Sequence, residues 1–175
     1  MNMEFAPING QKICQYASLR LGWCTLKTNG CGVLAIYNAL GLLGKTVPIQ
    51  KILQFFHAWY RPHWFGITPR RIGAFLRKEN VPFRVLSVKE AEAVLKNGDI
   101  AIMTYWCRCF WGRFVDPFGG AHTVCVRYDG TFKVYNRFSN REKVYSFDRM
   151  EEILRSRRLI KLYCLQKTVE NRSEL

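Results

Sequence analysis

The stretch from Cys31 to Gly44 is the longest nearly apolar run in the chain, broken by Asn38. It is too short to span a bilayer. Read as a helix over Cys31 to Leu43, it has almost no polar face, so the rest of the chain must wrap it on all sides. One buried central helix is therefore the first constraint on the fold. The 175 residues fit a single domain, 1–175, long enough to close a core around it. An apolar share of 49% and an aromatic share of 14% argue for a globular chain and against a disordered one.

Local signals place the other elements. Residues 1–23 read as an N-terminal extension, and 1–28 as irregular with room for one short strand. Asn29 is a reasonable N-cap and puts Cys31 in the first turn of the central helix. Thr46 and Pro48 open a second helix carrying Ile49, Ile52, Leu53, Phe56 and Trp59. Thr68-Pro69 opens a third with Ile72, Phe75 and Leu76 on one face. The second half changes character. A short strand over Val81 to Leu86 precedes a helix with a capping box at Ser87 and Glu90, ending near Asn97-Gly98. Ile100 to Trp106 reads as a strand, and Asp129-Gly130 joins Thr123–Tyr128 to Thr131–Tyr135 as a hairpin. A strand over Glu142 to Ser146, a helix over Asp148 to Arg155 and a strand over Leu159 to Leu165 follow, then a polar, frayed tail at 167–175. The class is α+β, with helices first and an antiparallel sheet second.

The net charge of +14 is spread as +4 over residues 1–60, +6 over 61–128 and +4 over 129–175. No nucleic-acid-binding module accompanies it, so specific nucleic-acid recognition is not expected. The N-terminus lacks a charged segment followed by an apolar one, which predicts a cytoplasmic protein with no membrane span. Seven cysteines without a secretory signal read as free thiols rather than a disulfide framework.

Asn29-Gly30-Cys31-Gly32 opens the central helix, Gly120-Ala121-His122 opens the hairpin, and Asn136 follows it. A helix N-terminus lowers a thiol pKa through its unpaired N–H groups and dipole. A histidine can take the proton, and a third polar group can orient the ring. Each residue also has a plainer role: Cys31 as a buried packing thiol, His122 as a structural histidine, Asn136 as a turn residue, with Asn140 as the alternative orienter. Glycines beside Cys31 would let a substrate backbone approach.

Two aromatic loops, Trp59–Phe65 and Phe110–Phe118, contain Pro or Gly and could flank a peptide groove near Trp64, Trp111, Gly120 and Ala121. Asp116 reads as a turn cap or a contact for a basic substrate group. Cys107-Arg108-Cys109 would need two more ligands, from Cys14, Cys24 or His63, to hold zinc. A redox-sensitive pair or loop packing are the simpler readings, and no metal or cofactor is expected.

Taken in order, these features resemble the papain-like cysteine peptidases. The resemblance covers residues 24–165 and is closest to the compact bacterial branch that includes leader peptidases cleaving after a double glycine in bacteriocin precursors. It rests on Cys31-Gly32 at a helix start, Gly66-Ile67-Thr68-Pro69 before a helix, Lys96-Asn97-Gly98-Asp99 before a strand, and Ala121-His122-Thr123-Val124 with Asn136 one hairpin later. It implies Cys31 as nucleophile, His122 as base and then acid, and Asn136 as orienter. It further implies hydrolysis of a peptide or isopeptide bond in a peptide or protein substrate through a thioester. These enzymes usually carry an oxyanion-binding Gln shortly before the nucleophile. Here that position is Thr25, so Gln15, Thr28 and Asn29 become the candidate oxyanion donors. Acyl transfer by the same residues, or a peptide-binding module without catalysis, are the alternatives.

Overall fold

Cys31–Leu42 forms the helix that the apolar run demands, with Gly32, Val33, Leu34, Ala35, Ile36, Asn38, Ala39 and Leu40 buried. The computed structural model describes residues 5–57, 67–107, 120–155 and 157–165, and the backbone alone at 109–110 and 114–115. In chain order its elements are β1 (Arg20–Leu21), β2 (Cys24–Thr25), α1 (Leu26–Asn29), α2 (Cys31–Leu42), α3 (Ile49–Phe56), α4 (Pro69–Lys78), β3 (Phe83–Val85) and α5 (Val88–Val94). There follow β4 (Ile100–Trp106), β5 (Cys109–Phe110), β6 (Phe114–Val115), β7 (Ala121–Asp129), β8 (Thr131–Tyr135), β9 (Tyr145–Phe147), α6 (Met150–Leu154) and β10 (Arg158–Leu165).

Six strands make one antiparallel sheet in the order β3-β10-β4-β7-β8-β9. Its central strands are buried on both faces, which is why they read as almost continuously apolar. Strand alternation then sorts their side chains. Ile100, Ile102, Cys125, Tyr163 and Leu165 join α2, α3 and α4 in one core, while Ala101, Met103, Val124, Val126 and Leu162 join α5 and α6 in the other. In α3 the buried residues are Ile49, Ile52, Leu53 and Phe56, the one-sided spacing of an amphipathic helix. The α+β class is as the sequence implies. No helix among the described residues is long and apolar enough to cross a membrane.

Asn38, the single polar break in the central run, is fully buried and acts as a clamp. Its Oδ1 accepts from the Ile8 N–H and its Nδ2 donates to the Ile8 carbonyl, both at 2.8 Å. Residues 8–12, placed by sequence in an extension, are thereby fastened to α2.

Several boundaries differ from expectation. Gly30, not Asn29, is the N-cap of α2, because Asn29 ends the single turn α1 and Gly30 caps both helices. The capping box of α5 forms, with Ser87 N–H donating to Glu90 Oε2 at 2.7 Å and Glu90 N–H to Ser87 Oγ at 3.3 Å. That helix nevertheless stops at Val94, because Asn97-Gly98 is a turn whose Asn97 Oδ1 accepts from Gly130 N–H at 2.8 Å. The strand expected over Glu142 to Ser146 is β9, Tyr145–Phe147, at the sheet edge where pairing with β8 alone sets its register. Trp59, the loops Trp59–Phe65 and Phe110–Phe118 with Trp64, Trp111 and Asp116, and the tail at 167–175 lie outside the described residues or have no described side chains.

Candidate active site

Cys31 is the first residue of α2, where N–H groups lack intrahelical partners. The glycines beside it are required by packing. Gly30 is buried, and a Cβ there would sit 2.6 Å from the Leu26 carbonyl oxygen; at Gly32 a Cβ would run into the Ile67 side chain. Both keep the start of α2 tight against its neighbours. The sulfur is hydrogen-bonded to His122 and to the N–H groups of Thr123 and Gly32. Two of those contacts come from consecutive residues of β7, so the start of that strand meets the start of α2.

His122 Nε2 lies 2.7 Å from the main-chain oxygen of Asn136. A carbonyl only accepts, so Nε2 carries the proton. The nitrogen left for the sulfur is Nδ1, whose lone pair can take the thiol proton. The sequence reading has Asn136 as orienter, and the structure brings it to His122 through the backbone, not the side chain. Asn136 is fully buried with φ +57°, a left-handed conformation that Asn tolerates better than most residues. That turn aims its carbonyl at the ring. Its side-chain amide is spent on Gln11: Oδ1 accepts from Gln11 N–H at 3.1 Å, and Nδ2 donates to Gln11 Oε1 at 3.3 Å. Its own N–H donates to Asn9 Oδ1 at 2.7 Å.

Opposing effects act on the pair. Burial raises the Cys31 pKa, but the hydrogen bond and positive charge of His122 and the two N–H donors outweigh it, leaving the thiol below its ordinary value. For His122, burial lowers the pKa, yet the Cys31 hydrogen bond and charge and the Asn136 carbonyl raise it further than burial and Arg137 depress it. Both shifts favour thiolate and imidazolium together. Cys125, buried without such partners, is driven upward by burial. Exposed Cys107 is also raised, burial of its sulfur outweighing nearby Arg157.

Tyr105 pairs with His122 across the strands and meets its ring edge to face, centroids 5.8 Å apart. Burial pushes its hydroxyl to about 12, so it stays neutral there. Arg137 follows Asn136, is buried, and donates from Nη1 to the Ile153 carbonyl at 2.5 Å while lying 5.1 Å from the Phe147 ring centroid. It ties the turn after β8 to α6.

The remaining sequence candidates are half-buried or exposed. Gln15 is exposed. Thr28 is exposed too, and its hydroxyl donates to the Thr25 carbonyl at 3.0 Å within the capping box of α1. Asn29 is half-buried beside the shared cap at Gly30. Gly120 is exposed, with open space where a Cβ would be, and leads into half-buried Ala121 and His122. Asn140 is exposed as well. Gln11, Asn9, Tyr105 and Arg137 are the residues that sequence reasoning missed. Tyr105 lies in a strand that the sequence predicts, but its place opposite His122 depends on the register of β4 on β7, for which the sequence carries no local signal. Among the described residues no three of His, Cys, Asp and Glu gather as a metal site. The side chains of Cys109 and His63 are outside them. No protein-family model and no curated protein matches this chain.

Proposed function

We propose that this chain is a cysteine peptidase or amidase of papain-like architecture, acting on a peptide or isopeptide bond. The observation that carries the reading is one imidazole held between the Cys31 sulfur and the Asn136 carbonyl at the start of a buried helix. The order of helices before an antiparallel sheet, with α2 packed on the strand bearing His122, supports it.

In acylation the Cys31 thiolate attacks the amide carbonyl carbon, and the C=O electron pair moves onto oxygen. The first-turn N–H of Cys31 is one donor to that oxyanion, and Asn29, next to the shared cap, is the side-chain candidate for a second. Collapse breaks the C–N bond as His122 gives its Nδ1 proton to the leaving amine, leaving a thioester. Water then attacks the thioester, losing a proton to His122. The C–S bond breaks, a carboxylic acid leaves and the thiolate returns. An amine in place of water gives acyl transfer by the same steps.

A peptide p-nitrophenyl ester tests the reading. The expected result is a stoichiometric burst of nitrophenol followed by slower turnover, abolished in Cys31→Ala. The exposure of Gln15 and Thr28, with the Thr28 hydroxyl given to the Thr25 carbonyl, favours a second reading as a peptide-binding module. Labelling of Cys31 with neither burst nor turnover would select that module.

A further inference from the structure

Gln11 is 4% exposed, and every polar atom of its side chain has a partner. Nε2 donates to the carbonyls of Lys27 and Thr28, each at 3.3 Å, and these are the C-terminal carbonyls of α1. Oε1 accepts from Asn136 Nδ2, and the Gln11 N–H donates to Asn136 Oδ1. One residue therefore joins the turn that leads into Cys31 to the residue whose carbonyl holds His122. The chain distances are 16 and 17 residues on one side and 125 on the other.

We propose that Gln11 is a positioning residue for the Cys31–His122 pair, acting through the side-chain amide of Asn136. This rests on the peptidase reading and adds to it. The local chain is built for the task. Gly10, at φ +69°, lets Asn9 and Gln11 both face Asn136, and a Cβ there would lie 2.8 Å from Ile13 Cγ1. On one side of this segment Ile8 is clamped by Asn38 of α2; on the other the Lys12 N–H donates to the Ser139 carbonyl at 2.7 Å. The strap thus spans both halves of the site, and the Gln11 amide is its innermost link. Asn136 needs such a hold because it presents a main-chain carbonyl, whose direction is set by backbone angles alone. Freeing the side chain frees those angles, and the ring loses its fixed acceptor.

The test reads the imidazole directly. In Cys31→Ala, where no thiolate favours the charged ring, nitrogen NMR of His122 is expected to find the neutral ring as a single Nε2–H tautomer. With Gln11→Ala added to that variant the tautomers mix, and in the chain that keeps Cys31 the same substitution slows alkylation near neutral pH about ten- to a hundred-fold. In a His122→Ala background the same change leaves alkylation unaltered, which a general loosening of the fold would not do. Gln11→Glu keeps the size and the Asn136 contact but turns an oxygen toward the Lys27 and Thr28 carbonyls; it serves if Gln11→Ala fails to fold. An unchanged tautomer and rate in a folded Gln11 variant overturns the proposal. A wild type whose Cys31 alkylates as an ordinary thiol sinks the peptidase reading instead, and the tautomer still decides the role of Gln11.

Discussion

The side chain of Asn136 and its carbonyl do different work, and substitutions can separate them. Asn136→Ala keeps a carbonyl but removes both partners from the buried Gln11 amide and N–H, and it puts a Cβ residue without Asn's tolerance at a positive φ. Leaving such groups unpaired costs about 1–3 kcal/mol each. Urea unfolding is expected to find Asn136→Ala destabilised by about 2–4 kcal/mol. Its Cys31 is expected to react more slowly than wild type but faster than in His122→Ala. Equal loss in the two variants would mean that the carbonyl does not survive as an acceptor. This division of labour was not legible in the sequence. The position of Asn136 after the hairpin pointed to an orienter, and residue type suggested the amide. Which atom faces the ring depends on one dihedral angle, and the partner that takes the amide lies 125 residues away.

Among the elements, α2 fixes the position of the nucleophile. Leu34 is fully buried one turn into it, within the core that meets the sheet. Leu34→Ala is expected to cost about 2–5 kcal/mol in urea or thermal unfolding, the range for a buried Leu that leaves a cavity. A loss under 1 kcal/mol would contradict the packing described. Elements with local signals were readable: α2 from its nearly apolar run, α4 from Thr68-Pro69, α5 from Ser87 and Glu90, and the β7–β8 hairpin from Asp129-Gly130. Those set by tertiary contact were not. The turn α1 owes its shape to the Thr25–Thr28 capping box and to Gln11 beneath its last carbonyls. The edge strand β9 takes its register from β8 alone.

At the scale of the whole molecule, the sheet is a wall with a helical layer on each face, and the reactive pair sits where the first residue of α2 meets the leading end of β7. Amide hydrogen exchange is expected to be slowest in β4, the centre of β7 and the buried Leu162–Leu165 end of β10, and faster in β3 and β9 at the edges. Uniform protection across the sheet would contradict that layering. The central claim, though, concerns the proton shared by Cys31 and His122. Its most direct measurement is the pH dependence of Cys31 alkylation by iodoacetamide, followed by peptide mass mapping in wild type and in His122→Ala. Thiolate forms as pH rises through the Cys31 pKa, which His122 and two N–H donors hold below the ordinary value against burial. Wild type is therefore expected to label Cys31 ahead of exposed Cys107 at a pH where ordinary thiols, near about 8.5, are still protonated. In His122→Ala the hydrogen bond and charge of the imidazole are lost while burial remains, so the limb moves upward. Labelling of Cys31 that begins only in the ordinary thiol range, and ignores His122, would contradict the account.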